Sequence, residues 1–455
     1  MVKRIVTRVQ DVVNRRPLGC LCRYEVGLDE REAEVLDMLR IGPAVRVIAV
    51  LGPAGVGKSA ICRAICEHAS HLFTAVSYVE DVREKAKHPR GFVRMQQQII
   101  HDLCKMSDLR IDDPAHGRAL IKEHLRGSIK VLIILDDADD CMQVENLMPP
   151  EALGYGSRGI VATRDKWFVS QLQVHDTYEV RELTDTETIE LFCWHAFMKQ
   201  KPPSSFEKIA TEVAVACGRI PFEIIVVGAH LCGEVNPSIW GEVLTKLRLI
   251  PLLPDEKVRT QKRLQISFEA LPHDQQEIFL DIACVVLGEM AETAKRAWVA
   301  FGWSTKALEH LVDKSLVQID ASGKLVMHDL LRELGRQKSK SDSTRLWMPD
   351  AEIAVKTNFK VQGLSLLGSK AVFPARQLAL MKDLRILLVD GATGKCFSCF
   401  PKTLTLISWP RMPFYYLPAG ILALDKLAVL NLGWSKIKHL FDEPVDQVLY
   451  TDESC

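Results

Sequence analysis

The segment Gly52-Pro53-Ala54-Gly55-Val56-Gly57-Lys58-Ser59 spaces its glycines, one lysine and one hydroxyl as G-x-x-x-x-G-K-S, an arrangement that cradles phosphate. Glycine at Gly52, Gly55 and Gly57 lets the backbone approach phosphate oxygens with no Cβ in the way. Lys58 can reach the β- and γ-phosphates, and the Ser59 hydroxyl is suited to Mg2+. A helix that starts here and runs on through Ala60 and Ile61 turns free N–H groups and the positive end of its dipole toward the anion. Two further apolar runs end in groups that suit the same ligand. Val131 to Leu135 leads into Asp136 and Asp137, and Gly159 to Thr163 leads into Arg164 and Asp165. Asp136 and Ser59 together would hold Mg2+, as in other phosphate-loop nucleotidases. Asp137 either orients or deprotonates an attacking water or supports Asp136 from behind.

These residues need a scaffold that brings them together, and the chain encodes one. The phosphate loop follows an apolar strand, Val45 to Leu51. Other strands are expected at Phe73 to Val79, Val131 to Leu135, Gly159 to Asp165 and, as an edge, Tyr178 to Val180. Helices are expected at Glu30 to Leu39 and Val93 to Cys104, the latter with Met95, Ile99, Ile100 and Leu103 on one face. Unbroken apolar strands alternating with helices imply a parallel sheet covered on both faces. In such sheets ligands bind beyond the carboxyl ends of the strands. The loop at Gly52, the Asp136–Asp137 pair and Arg164 all fall there.

From about Leu183 the pattern turns helical. Helices are expected at Asp185 to Phe197, Ser204 to Cys217, Phe222 to Cys232 and Pro237 to Leu247, followed by a helical block from Val258 to about Gly335. Within that block, Leu316 to Ile319 and Lys324 to Met327 flank Asp320-Ala321-Ser322-Gly323, a hairpin turn that suggests a winged helix. The tail repeats. Val361-x-x-Leu364-x-Leu366, Leu384-x-x-Leu387-x-Val389, Leu404-x-x-Ile407-x-Trp409 and Leu427-x-x-Leu430-x-Leu432 recur at about 20–23 residues, a leucine-rich-repeat period.

Composition limits the alternatives. Of 455 residues 47% are hydrophobic and 25% charged, as in ordinary globular protein, and 58 basic residues balance 58 acidic ones. That neutrality counts against a nucleic-acid partner. Lys295, Arg296 and Lys306 are too few and scattered for a DNA-reading helix. No apolar run reaches the length of a membrane span. The 13 cysteines form no even framework, and Cys396-x-x-Cys399 lacks the second pair a metal site needs, so reduced, packed thiols are expected. Met1 to Arg16 reads as a short amphipathic linker helix.

With these residues in hand, the order of motifs resembles the nucleotide-binding switch module of plant NB-ARC leucine-rich-repeat immune receptors. Gly52 to Ser59 is similar to that family's phosphate loop, Phe73 to Glu84 to its next strand motif, and Leu132 to Asp137 to its Walker B segment. Gly156-Ser157-Arg158 through Thr163-Arg164-Asp165 resembles G-S-R…T-T-R, with Ala162 replacing the first threonine. Tyr178 to Phe197 resembles the L…LF..HAF segment. Phe279 to Cys284 matches F-L-D-I-A-C, and Met327-His328-Asp329 the M-H-D motif. The G-L-P-L motif reads Arg219-Ile220-Pro221-Phe222, keeping its proline but not its glycine. F-L-D-I-A-C and the aspartates at 139–140 resemble the branch usually fused to a TIR domain, which is absent here, while Asn14 to Leu18 looks like the linker that follows one.

The resemblance implies an α/β P-loop NTPase domain (27–183), a helical domain (184–255), a winged-helix domain (256–345) and the start of a leucine-rich-repeat solenoid (346–455), after a linker helix (1–26). It further implies that Arg164 senses the γ-phosphate, that Pro221 packs near the base, that Val26 and Gly27 line the adenine, and that His328 touches the β-phosphate of ADP. The expected function is a defence-signalling switch, resting with ADP and active with ATP, with at most slow hydrolysis. Self-association on activation, a protein ligand on the repeats, and a cytoplasmic or nuclear location go with it. Two other readings stay open: a truncated receptor acting as adaptor or decoy, and an ATPase of the same superfamily that regulates transcription.

Overall fold

The computed structural model describes residues 24–40, 46–88, 90–106, 109–125, 130–172, 174–253, 255–347, 360–367, 378–390, 400–412 and 414–438. The linker helix expected at Met1 to Arg16, the Cys396–Cys399 pair and the tail from Thr451 lie outside them. The chain divides into two compact units, Met1–Ser267 and Phe268–Cys455.

The first unit is built on a five-stranded parallel sheet of β1 (Arg46–Leu51), β2 (Ala75–Val79), β3 (Val131–Leu135), β4 (Arg158–Thr163) and β5 (Asp176–Glu179), in the order β2-β3-β4-β1-β5. Burial on both faces explains the unbroken apolar strands. Val131, Ile133 and Leu135 enter one core with Val47 and Val161, while Leu132 and Ile134 enter the other with Ile48, Val50 and Ile160. That is the two-residue alternation of a strand with apolar layers above and below. The second strand starts at Ala75 rather than Phe73, because a 3-10 turn over Ser70–Leu72 occupies the approach. Helices Pro114–Leu125 and Cys141–Leu147, which the sequence reading did not anticipate, complete one face.

Helices Asp185–Phe197, Glu207–Ala216, Pro221–Leu231 and Pro237–Leu249 pack around the fully buried Trp240. The first of them opens on a capping box between Thr184 and Glu187, which satisfies orphan N–H groups at the helix start.

The second unit holds helices His273–Asp281, Ala291–Phe301, Ala307–Asp313 and Asp329–Asp342, with a small antiparallel hairpin of β6 (Gln318–Ile319) and β7 (Leu325–Val326) before the last of them. Asp320 closes the hairpin turn by accepting from the N–H groups of Ser322 and Lys324, and Gly323 takes the positive φ of 82° that the turn requires. The F-L-D-I-A-C segment is not a uniform α-helix; Ile282–Val286 winds as a π-helix.

A second five-stranded parallel sheet follows: β8 (Arg345–Trp347), β9 (Gly363–Leu366), β10 (Ile386–Val389), β11 (Leu406–Ser408) and β12 (Val429–Asn431). Each of the four sequence repeats supplies one strand, and Leu364, Leu387, Ile407 and Leu430 stand side by side in register. Strand β8 has no counterpart in the repeat pattern. It extends the sheet on the winged-helix side.

Candidate functional site

Strand β1 ends at Leu51, and the chain turns through Gly52–Gly57 into the helix Lys58–His68. Gly55 and Gly57 have φ of 81° and 107°, and a Cβ built on Gly57 would point into open space. The turn therefore needs glycine for its backbone, and the space beside Gly57 is open. Inside that loop Lys58 folds back, its Nζ donating to the carbonyls of Gly52 and Pro53 at 2.8 Å each. Lys58 is only 8% exposed. Burial, with the nearby charge of Arg164, lowers its pKa to about 8.

The loops that follow β3 and β4 lie beside Lys58 of the phosphate loop, and the loop after β2 is joined to them. The N–H groups of Val82 and Arg83 donate to the carbonyls of Asp136 and Asp137, both at 3.0 Å, and so stitch the loop after β2 to the loop after β3. Asp136 is buried. Its Oδ2 accepts from the Tyr78 hydroxyl at 2.9 Å, and its Oδ1 has no hydrogen-bond partner. Burial pushes its pKa up, opposed by hydrogen bonds from Ser59 and Tyr78. Asp137 sits in the left-handed region at φ 55°, which Asp tolerates better than most residues. Its Oδ2 accepts from Arg83 Nε at 2.9 Å and its Oδ1 from Arg164 at 3.0 Å. Arg164 is aimed by the end of β4, where Asp165 caps the next helix by accepting from the N–H groups of Trp167 and Phe168.

The helical layer also reaches the loop. Pro221 occupies the first turn of its helix, where a missing N–H costs nothing, and the next N–H, of Phe222, donates to the carbonyl of Gly55 at 3.2 Å. Val26 packs against the helical core. Gly27, at φ 68°, is pinned by Arg31, which donates to its carbonyl and pairs with Glu187 at 2.8 Å. His328 lies in the second unit. It is the N-cap of helix Asp329–Asp342, its Nδ1 accepting from Leu330 N–H at 3.2 Å, and Asp329 pairs with Arg332 at 2.7 Å. In the neutral ring this places the proton on Nε2.

Of the residues singled out from sequence, Gly52, Gly55, Val56, Gly57, Lys58, Ser59 and Ala60 form the loop and helix start, with Asp136, Asp137, Arg164 and Pro221 in the strand-end and helix-end segments just described. Tyr78 and Arg83 escaped the sequence reading. Arg83 was within reach of the rule that pointed to Arg164, because it follows the carboxyl end of a strand of the same parallel sheet. Tyr78 carried no such signal.

Among the described residues no cluster of three or more His, Cys, Asp or Glu could hold a metal ion, and no helix is long and apolar enough to cross a membrane.

Residues 29–202 match the NB-ARC domain family, and residues 272–343 match the winged-helix domain of Roq1-like disease resistance proteins. The chain is 31% identical to disease resistance protein RUN1 of Vitis rotundifolia, over 91% of this chain and 34% of that one. It is 28% identical to TMV resistance protein N of Nicotiana glutinosa, over 97% of this chain and 39% of that one. It thus spans about a third to two fifths of the length of these two curated relatives. Among solved structures, a signal transduction ATPase with numerous domains from Pyrococcus horikoshii aligns with 76% of this chain and 47% of its own, at 12% identity and a TM-score of 0.45.

Proposed function

We propose that this chain, which carries an NB-ARC domain and a Roq1-like winged helix and whose homologues are plant disease resistance proteins, is the adenine-nucleotide switch of an immune receptor, at rest with ADP and active with ATP. The observation that carries the reading is Lys58. A buried amine whose hydrogen-bond partners among the described residues are two loop carbonyls, in a turn with open space beside Gly57, is suited to an anionic partner. A di- or triphosphate supplies that partner.

The donor set suits a divalent cation as well. Asp136 Oδ1 is buried without a partner and Ser59 stands beside the same carboxyl group. Ser59 and Asp136 would hold Mg2+, which when bound would offset phosphate charge. Both oxygens of Asp137 are engaged by arginines, which leaves neither turned to an attacking water, in keeping with slow hydrolysis. We assign Pro221 to pack beside the base, a reading supported by the Phe222–Gly55 hydrogen bond that brings its helix to the loop, with Val26 and Gly27 contributing from the segment before the sheet. A switch of this kind works only through unequal affinity of the two conformations for the two nucleotides. Self-association on activation and a protein ligand on the repeats belong to the same proposal.

The test is titration of the purified chain with ADP and ATP, with and without Mg2+. Lys58→Ala should abolish binding of both. Unchanged ADP affinity in that variant would overturn the assignment of the loop.

A further inference from the structure

Asp137 is shared by two arginines from different loops. Arg164 follows β4 and donates to Oδ1 at 3.0 Å; Arg83 follows β2 and donates to Oδ2 at 2.9 Å. All three side chains are mostly shielded from solvent, with exposures of 29%, 20% and 17% for Arg164, Arg83 and Asp137. The bridge ties together the ends of the three neighbouring strands β2, β3 and β4. Arg83 is held there from its backbone too, since its N–H donates to the carbonyl of Asp137 at 3.0 Å.

We infer that Arg83 is a positioning residue that sets the preference of the site for a nucleoside triphosphate over a diphosphate, by keeping Asp137 neutralised when Arg164 leaves it. This rests on the proposed role of Arg164 toward a terminal phosphate. In the structure Arg164 is engaged by Asp137, so a γ-phosphate must compete with a carboxylate for the same guanidinium. Leaving a shielded carboxylate without its cation is costly. Arg83 removes most of that cost, because Oδ2 keeps a charged donor after Oδ1 loses its own. Without Arg83, Asp137 would depend on Arg164 alone and hold it harder. A diphosphate does not call on Arg164, so its binding should not register the change. The same arrangement makes Asp137 a relay between two arginines.

The experiment is equilibrium titration of the full chain with ADP and with a non-hydrolysable ATP analogue, for the parent, Arg83→Gln and Arg83→Lys, with thermal unfolding of each as a check on folding. Arg83→Gln should leave the ADP Kd within about twofold and weaken the analogue roughly tenfold, the scale of one charge-assisted hydrogen bond. Arg83→Lys, which keeps the charge, should recover most of the loss. Equal weakening of both nucleotides, or of neither, would overturn the inference while leaving the nucleotide-switch reading intact. A parent chain that binds neither ligand would overturn that reading, and this inference with it. Should Arg83→Gln fold poorly, Asp137→Asn decides: removing the carboxylate that competes for Arg164 should tighten the analogue relative to ADP, and an unchanged or weakened analogue relative to ADP in that variant refutes the inference.

Discussion

Nucleotide binding should take up a proton, in an amount set by Lys58. With its pKa lowered to about 8 by burial, from an ordinary 10.5, the ammonium is disfavoured in the empty loop by roughly 3 kcal/mol. Phosphate oxygens favour the charged form and should return the pKa toward its ordinary value. Roughly half of Lys58 is neutral at pH 8 and about nine-tenths at pH 9. Binding should therefore take up about half a proton at pH 8, nearly one at pH 9 and almost none at pH 6.5. Affinity should weaken by about twofold at pH 8 and about tenfold at pH 9 relative to pH 6.5. The phosphate itself contributes little above pH 8, since its last ionisation lies near 6 by analogy with other phosphate esters. Isothermal titration calorimetry of ADP in buffers of different ionisation enthalpy measures the uptake directly. Zero uptake at pH 9, or an uptake that does not change between pH 6.5 and 9, would refute the reasoning. The sign for the empty fold is the reverse of a stabilised cation. Between about pH 8 and 10.5 the unfolded chain holds more protons on this lysine, so the group adds to stability as pH rises through that window.

Two stability predictions follow from ion pairs elsewhere. Glu187, hydrogen-bonded by Arg31 and by Thr184, has its pKa lowered to about 2, so its contribution is full above about 4.5 and is lost as pH falls toward 2. Glu187→Gln should cost about 1–3 kcal/mol in denaturant unfolding at pH 7, with the difference from the parent vanishing near pH 2. In the second unit, Asp281 is fully buried and accepts from Arg345 Nε at 3.0 Å, Arg385 at 3.2 Å and Trp298 Nε1 at 3.0 Å. Asp281→Leu leaves two buried guanidiniums short of a partner, although Glu277 still pairs with both, and should cost about 3–5 kcal/mol. Protease susceptibility of the winged-helix and repeat segments, followed with temperature, reads this. An unshifted transition would show that Glu277 alone suffices.

The legible parts of the chain were those written in local period. The phosphate loop declares itself by spacing, the buried strands by unbroken β-branched runs, and the repeats by recurrence at about 20–23 residues. Register among the repeats followed, since Leu364, Leu387 and Ile407 can share a core only if their strands align. Short helices such as Cys141–Leu147 were missed because seven residues give too few turns to display a period.

What sequence fixed, then, is the identity of the loop and the class of ligand it suits. Tertiary structure alone decided which distant side chains meet there. Strand order β2-β3-β4-β1-β5 sets the loops after β2, β3 and β4 side by side, so that Arg83 and Arg164, 81 positions apart, close on one carboxylate. The same holds for Phe222 on Gly55 and for Arg345 and Arg385 on Asp281. Local periodicity reports which face of an element is buried. It carries no record of which other element will cover that face, because that choice is made by the packing of the whole core.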